Sequence, residues 1–155
     1  MVQIRRKPCN CGVTVWLTGP SGVGTSALTR ALAEQLRGAG YRVAALSTDE
    51  SPTTSVRQVG LTAEVLARNG LIALVSSAAP NANTRDAVRD RHRQSSTHFL
   101  EVHVEARGRA PGSTGGDSPY EPPRNPDLVV PAHAQSTGEA VLLLTGLLAE
   151  KYFVA

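Results

Sequence analysis

Lysine is nearly missing from this sequence. Lys7 and Lys151 are the only two, both near the ends, and fourteen arginines supply the remaining positive charge. Aromatic residues are also scarce, at 4%, which leaves little to stack unpaired bases on and disfavours a single-stranded nucleic-acid binder. The two cysteines, Cys9 and Cys11, are too few for a disulfide framework. A zinc site would need a second pair of ligands, so free thiols in an exposed tail are expected. No apolar run is long enough to cross a bilayer. The basic start, MVQIRRKPCNC, is not followed by the apolar core of a secretion signal. A soluble cytoplasmic protein with no membrane partner is the expectation.

What is present suffices for one well-cored domain: 155 residues, 41% of them hydrophobic. The arginine excess suits phosphate, whose oxygens match the planar guanidinium fork, and it also follows from GC-rich coding. A net charge of +3 fits an anionic small molecule as well as a nucleic acid.

Residues 1–12 read as a basic tail and residues 13–155 as the domain. Compact apolar runs predict strands at Val13–Leu17, Arg42–Leu46, Leu71–Val75, Phe99–Val104 and Asp127–Val130. Helical spacing predicts helices at Ser26–Arg37, with Leu28, Ala31, Leu32 and Leu36 on one face, and at Ser55–Arg68, with Val56, Val59, Ala63, Leu66 and Ala67 inward. Two more follow at Thr84–Arg93 and Thr137–Tyr152, the last of them amphipathic. The third of these helices is so charged that it reads as a solvated face, with Asp86 and Asp90 offsetting Arg85 and Arg89. Arg107–Gly116 is a Gly- and Pro-rich loop. Strands alternating with helices predict an α/β domain with a parallel five-stranded sheet and helices on both faces. Ligands bind such sheets at the carboxyl ends of the strands. Of the histidines, His103 alternates away from Val102 and Val104, as a satisfied or half-exposed side chain would.

Between the first strand and the first helix stands Gly19-Pro20-Ser21-Gly22-Val23-Gly24-Thr25-Ser26. The spacing is that of a phosphate-binding loop, whose glycines let backbone N–H groups converge on an anion at a helix N-terminus. Gly19, Ser21, Gly22, Val23, Gly24, Thr25 and Ser26 are the candidate nucleotide ligands, and the Ser26 hydroxyl sits where it would meet Mg²⁺. Thr25 occupies the place of the lysine that reaches the β- and γ-phosphates. The alternative is a Gly-rich turn with no ligand.

The strings VTVWLTGPSGVG, GYRVAAL, NGLIALVS, HFLEVHVE and DSPYEPPRNPDLVV together resemble adenylylsulfate kinase over most of the chain, the segment Asp117–Pro123 most specifically. The resemblance implies a P-loop kinase fold that uses ATP and Mg²⁺ to phosphorylate the ribose 3′-hydroxyl of adenylylsulfate. It also implies roles by position. Asp49 matches the second aspartate of the family's Asp-Gly-Asp, whereas Ser47 replaces the first, which works with the metal and the attacking hydroxyl. Arg57 lies near the arginine pair opening the family's next helix, and Arg85 and Asp86 match the start of the one after. Arg57, Asp117 and Tyr120 are the implied substrate ligands, with Asp49 and Arg85 the implied catalytic groups.

The departures gather at the strand ends. The family's substrate stretch is reduced to Glu50–Thr54, Ala79 and Ala82 stand for a serine and an arginine, and the short loop Arg107–Gly116 replaces the basic lid. Arg85, Arg89, Arg107 and Arg109 are the cations that could fold over a phosphate in place of the lysine. Losing one well-placed electrostatic group costs phosphoryl transfer roughly 3–4 kcal/mol, so the expectation is a kinase-like protein of weak or lost activity. The alternative is a non-catalytic pseudokinase that binds nucleotide or a partner protein. A homodimer or a sulfate-activating partner would fit either reading.

Overall fold

The computed structural model describes residues 12–20, 24–48, 55–77, 82–105, 121–131, 137–151 and 153–154. They form β1 (Val13–Thr18), α1 (Thr25–Gly38), β2 (Val43–Ser47), α2 (Val56–Arg68), β3 (Ile72–Ser77), α3 (Ala82–Gln94), β4 (His98–Val104), β5 (Leu128–Val130) and α4 (Thr137–Glu150). Cys9, Cys11, Arg107 and Arg109 lie outside the described residues.

All five strands run parallel in the order β2-β3-β1-β4-β5. The β-branched run of β1 is buried along its whole length and pairs on both edges, with β3 and with β4. Alternation then sorts its side chains. Val13, Val15 and Leu17 join Leu28, Leu32 and Leu36 of α1 and Leu144 and Leu148 of α4 in one core. Trp16 turns the other way, to Val59 and Ala63 of α2 and Val88 of α3. Helices thus cover both faces, as the alternating pattern predicted.

The helix boundaries follow local chemistry. Ser55 caps α2 by accepting from the Gln58 N–H at 3.1 Å, and the Gln58 side chain accepts in return from the Ser55 N–H. α3 begins two residues earlier than the charge pattern suggested, at Ala82, and it is not a solvated face. Arg85, Val88 and His92 are buried along one side of it, because spacings of three and four carry them round to the sheet. α4 is less amphipathic than expected: Leu142 and Leu143 are exposed opposite the buried Val141, Leu144 and Leu148, and its described helix ends at Glu150.

Gly12 marks the tightest backbone approach. A Cβ there would lie 2.1 Å from the Ala67 carbonyl oxygen and 2.4 Å from that of Leu71. Backbone cannot yield as a side chain can, whereas a Cβ on Gly60 would press only on the Val88 methyls, at 2.8 Å. Gly12→Ala is therefore expected to cost about 3 kcal/mol, the upper part of the overpacking range, and Gly60→Ala about 1. Urea unfolding of the two variants checks the ranking.

Candidate functional site

β1→α1 and β3→α3 leave neighbouring strands toward opposite faces of the sheet, which opens a crevice at their carboxyl ends. The chain enters it at Thr18 and the buried Gly19, and leaves at Gly24, whose φ of 89° suits glycine. Gly24 also stands at the N-cap of α1, where it brings no side-chain cap, and no acidic residue sits in the first turn. This is the donor arrangement an anion needs. Thr25 is buried at 8% exposure, its carbonyl accepting from the Thr29 hydroxyl at 2.7 Å. Ser26 is exposed. Gly19, Gly24, Thr25 and Ser26 are thus brought together at one junction; Ser21, Gly22 and Val23 lie outside the described residues.

Around the junction the strand ends form a floor of hydroxyls. Ser47 is in register with Ser76, and Thr18 with both Ser77 and His103. The Thr48 N–H donates to the Ser76 carbonyl at 3.1 Å, and its hydroxyl donates to Ser77 Oγ at 3.1 Å. Thr18, Thr48, Ser76 and Ser77 are all buried. Among the described residues the ends of β1, β2 and β3 offer no carboxylate; Asp49 lies outside them, as do Asp117 and Tyr120. Among the described residues Ser26 offers the hydroxyl that would meet Mg²⁺, and Asp49, the carboxylate that would complete its acidic oxygens, lies outside them.

Arg85 reaches this floor from α3. Its Nη1 donates to Thr18 Oγ1 at 3.3 Å and its Nη2 to the Glu121 carbonyl. Burial holds the His103 imidazole below its ordinary range; Glu105 opposes that shift and the Arg85 charge adds to it. Arg57 stands elsewhere, exposed on α2 and lining a groove of about 500 Å³ between α2 and α3 together with Gly60, Asn83 and Arg91.

Sequence reasoning missed the layer beneath. Arg89 lies between Glu101 and Asp127, at 3.6 and 3.5 Å, and over the Phe99 ring. Asp127 also accepts the Glu101 N–H at 2.8 Å, which ties β5 to β4. Burial pushes the Glu101 carboxyl up, against the pull of Arg89 and Arg85. Further along, His92 Nδ1 lies 2.8 Å from the Val88 carbonyl and its Nε2 2.8 Å from Thr14 Oγ1. A carbonyl only accepts, so Nδ1 carries the proton; burial favours the neutral ring, in which Nε2 accepts from the Thr14 hydroxyl. The visible signal for this layer was the spacing of Arg85, Arg89 and His92, which a helical projection places on one side.

Burial lowers the His92 pKa from its ordinary value of 6.5. Such a group contributes stability that is present above that value and lost as pH falls through the folded-state pKa. The urea midpoint should drop between pH 7.5 and pH 5.5, and the drop should be shallower in His92→Asn, His103 supplying what remains. An unchanged slope would show that His92 is not held neutral.

Comparison with known proteins agrees with this arrangement. The family model for adenylylsulphate kinase matches residues 11–109. A probable adenylyl-sulfate kinase of Synechocystis is 35% identical over 162 aligned positions, covering 84% of this chain and 89% of the relative. A hexameric APS kinase from Thiobacillus denitrificans superposes with a TM-score of 0.76 at 29% identity, over 94% of this chain and 30% of that one. The structure of Mycobacterium tuberculosis APS kinase CysC with AMPPNP and APS gives 0.75 at 26% identity, over 90% and 98%.

Proposed function

The chain belongs to the adenylylsulphate kinase family, and we propose that it retains the family's nucleotide site while phosphorylating the 3′-hydroxyl of adenylylsulfate slowly or not at all. The observation that carries this reading is Thr25. The residue at the lysine's position is an uncharged, buried side chain at the head of α1. The nearest cation described beside the loop entrance, Arg85, is directed to Thr18 and Glu121. Without a lysine reaching the β- and γ-phosphates, the loop still offers the donors of Gly24 and the first turn of α1, so ATP binding survives better than turnover.

Within this reading the loop amides of Gly19, Ser21, Gly22, Val23, Gly24, Thr25 and Ser26 hold the phosphates, and Ser26 and Asp49 are the groups to approach Mg²⁺. Arg57, Asp117 and Tyr120 are assigned to adenylylsulfate. The hexameric relative supports an oligomeric state for this chain as well. Ser47, a hydroxyl in register with Ser76 where the family has an aspartate, favours a second reading: a non-catalytic subunit that binds nucleotide or a partner protein.

Calorimetry with ATP and Mg²⁺, beside an assay for 3′-phosphoadenylylsulfate, separates these readings. Thr25→Lys combined with Ser47→Asp should raise turnover at least ~100-fold, the worth of one restored electrostatic group. Ordinary kinase turnover by the unaltered chain would defeat the proposal. Binding without turnover in both proteins favours the non-catalytic subunit.

A further inference from the structure

Arg85 is 1% exposed, and its two terminal nitrogens reach two other stretches of chain. Nη1 donates to the hydroxyl of Thr18, the last residue of β1 and the one directly before Gly19. Nη2 donates to the main-chain carbonyl of Glu121. The Glu121 carboxylate in turn accepts the N–H of Ala82 at 3.1 Å. Ala82 is the first residue of α3, so this carboxylate meets one of the helix's unsatisfied donors and the positive end of its dipole. Arg85 lies three residues further along the same helix, so Arg85, Glu121 and Ala82 close a ring through the first turn of α3, and Thr18 is tied to that ring through Arg85.

We propose that Arg85 is a positioning residue that fixes the entrance of the phosphate loop against the segment beginning at Glu121. The inference rests on the reading of residues 19–26 as a nucleotide site and deepens it, since it assigns the loop's placement to a side chain outside the loop. A planar guanidinium presents its two terminal nitrogens in a rigid fork, so one side chain spans a hydroxyl and a carbonyl on different segments. A lysine ammonium at the same place is a single point and meets one acceptor at a time. Leu17, packed in the apolar core on the opposite face, fixes the backbone before Thr18, and Gly24 fixes the chain after the loop. Arg85 supplies the remaining lateral restraint. A displacement of Glu121 therefore reaches Thr18 through one rigid group, which couples the loop to that segment reciprocally.

Hydrogen exchange of the full-length, unliganded chain tests the ring without relying on nucleotide. The variants are Arg85→Lys, Thr18→Val and Thr18→Ser. In the first two, amides of residues 18–28 and of residues 121–131 should both exchange about tenfold faster, the expected effect of losing a hydrogen bond to a charged group. α4 should keep its wild-type rates, and Thr18→Ser, which retains the hydroxyl, should keep them throughout. ATP affinity with Mg²⁺ should fall about tenfold in Arg85→Lys and in Thr18→Val and stay at the wild-type value in Thr18→Ser. Faster exchange spread evenly through α4, or confined to residues 18–28 with residues 121–131 unmoved, overturns the proposal. If Arg85→Lys does not fold, Thr18→Val, nearly the same in shape, decides the same question. If the wild-type chain does not bind ATP, the nucleotide reading falls while the exchange comparison still decides for or against the ring.

Discussion

Everything in this structure hangs on the double-sided burial of β1. Its six residues pair with β3 on one edge and β4 on the other, and its two rows of side chains point into two different cores. Such a strand has no freedom to slip, because a shift of one residue would send Val13, Val15 and Leu17 to the face that now takes Thr14, Trp16 and Thr18. The place where the chain leaves the sheet is thereby set, and the glycine-rich turn begins at a fixed point. The entrance to the phosphate loop at Thr18 and Gly19 is set because the strand before it is held on both edges and both faces.

The two faces of β1 do different work. The α1–α4 side is aliphatic and supplies the larger share of apolar burial. The α2–α3 side carries the polar positions Thr14 and Thr18, and α3 answers them with His92 and Arg85. Buried polar groups of this kind add little net stability, since each hydrogen bond mostly replaces one to water. They fix direction, because an unmatched donor or acceptor there is expensive. Glu101 shows the cost: its carboxyl is pushed up by burial even with Arg89 beside it, so the Arg89–Asp127 pairing is better understood as holding β5 in register than as a source of stability.

The fold was legible because its signals are local and periodic. VTVWL, LIALV and the leucine spacing of α1 announce a strand, a strand and a helix without outside help, and their alternation implies the parallel sheet. The strand-to-helix glycines were legible for the same reason. α3 was misjudged because charge dominates its composition, and composition does not say which face a residue occupies. Arg85 and His92 are buried, and Arg89 half-buried, by partners distant in sequence: Thr18 lies 67 residues from Arg85, and Thr14 lies 78 residues from His92. The role of Glu121 was equally hidden, since a main-chain carbonyl leaves no mark on a sequence.

The separation between these two kinds of information explains how the site could lose charge without losing the fold. Thr25 and Ser47 stand at the ends of elements whose placement is decided by Leu28, Leu32 and the β2–β3 register, none of which depends on a lysine or an aspartate at the tips. Hydroxyls also suit those tips structurally. Thr48 and Ser77 satisfy one another at 3.1 Å with no net charge to neutralise, whereas an aspartate beside them would require a metal or a cation to offset its burial. On the proposed reading such a site grips the outer phosphates more weakly, since the helix dipole and backbone donors favour any anion at α1 and discriminate little by charge.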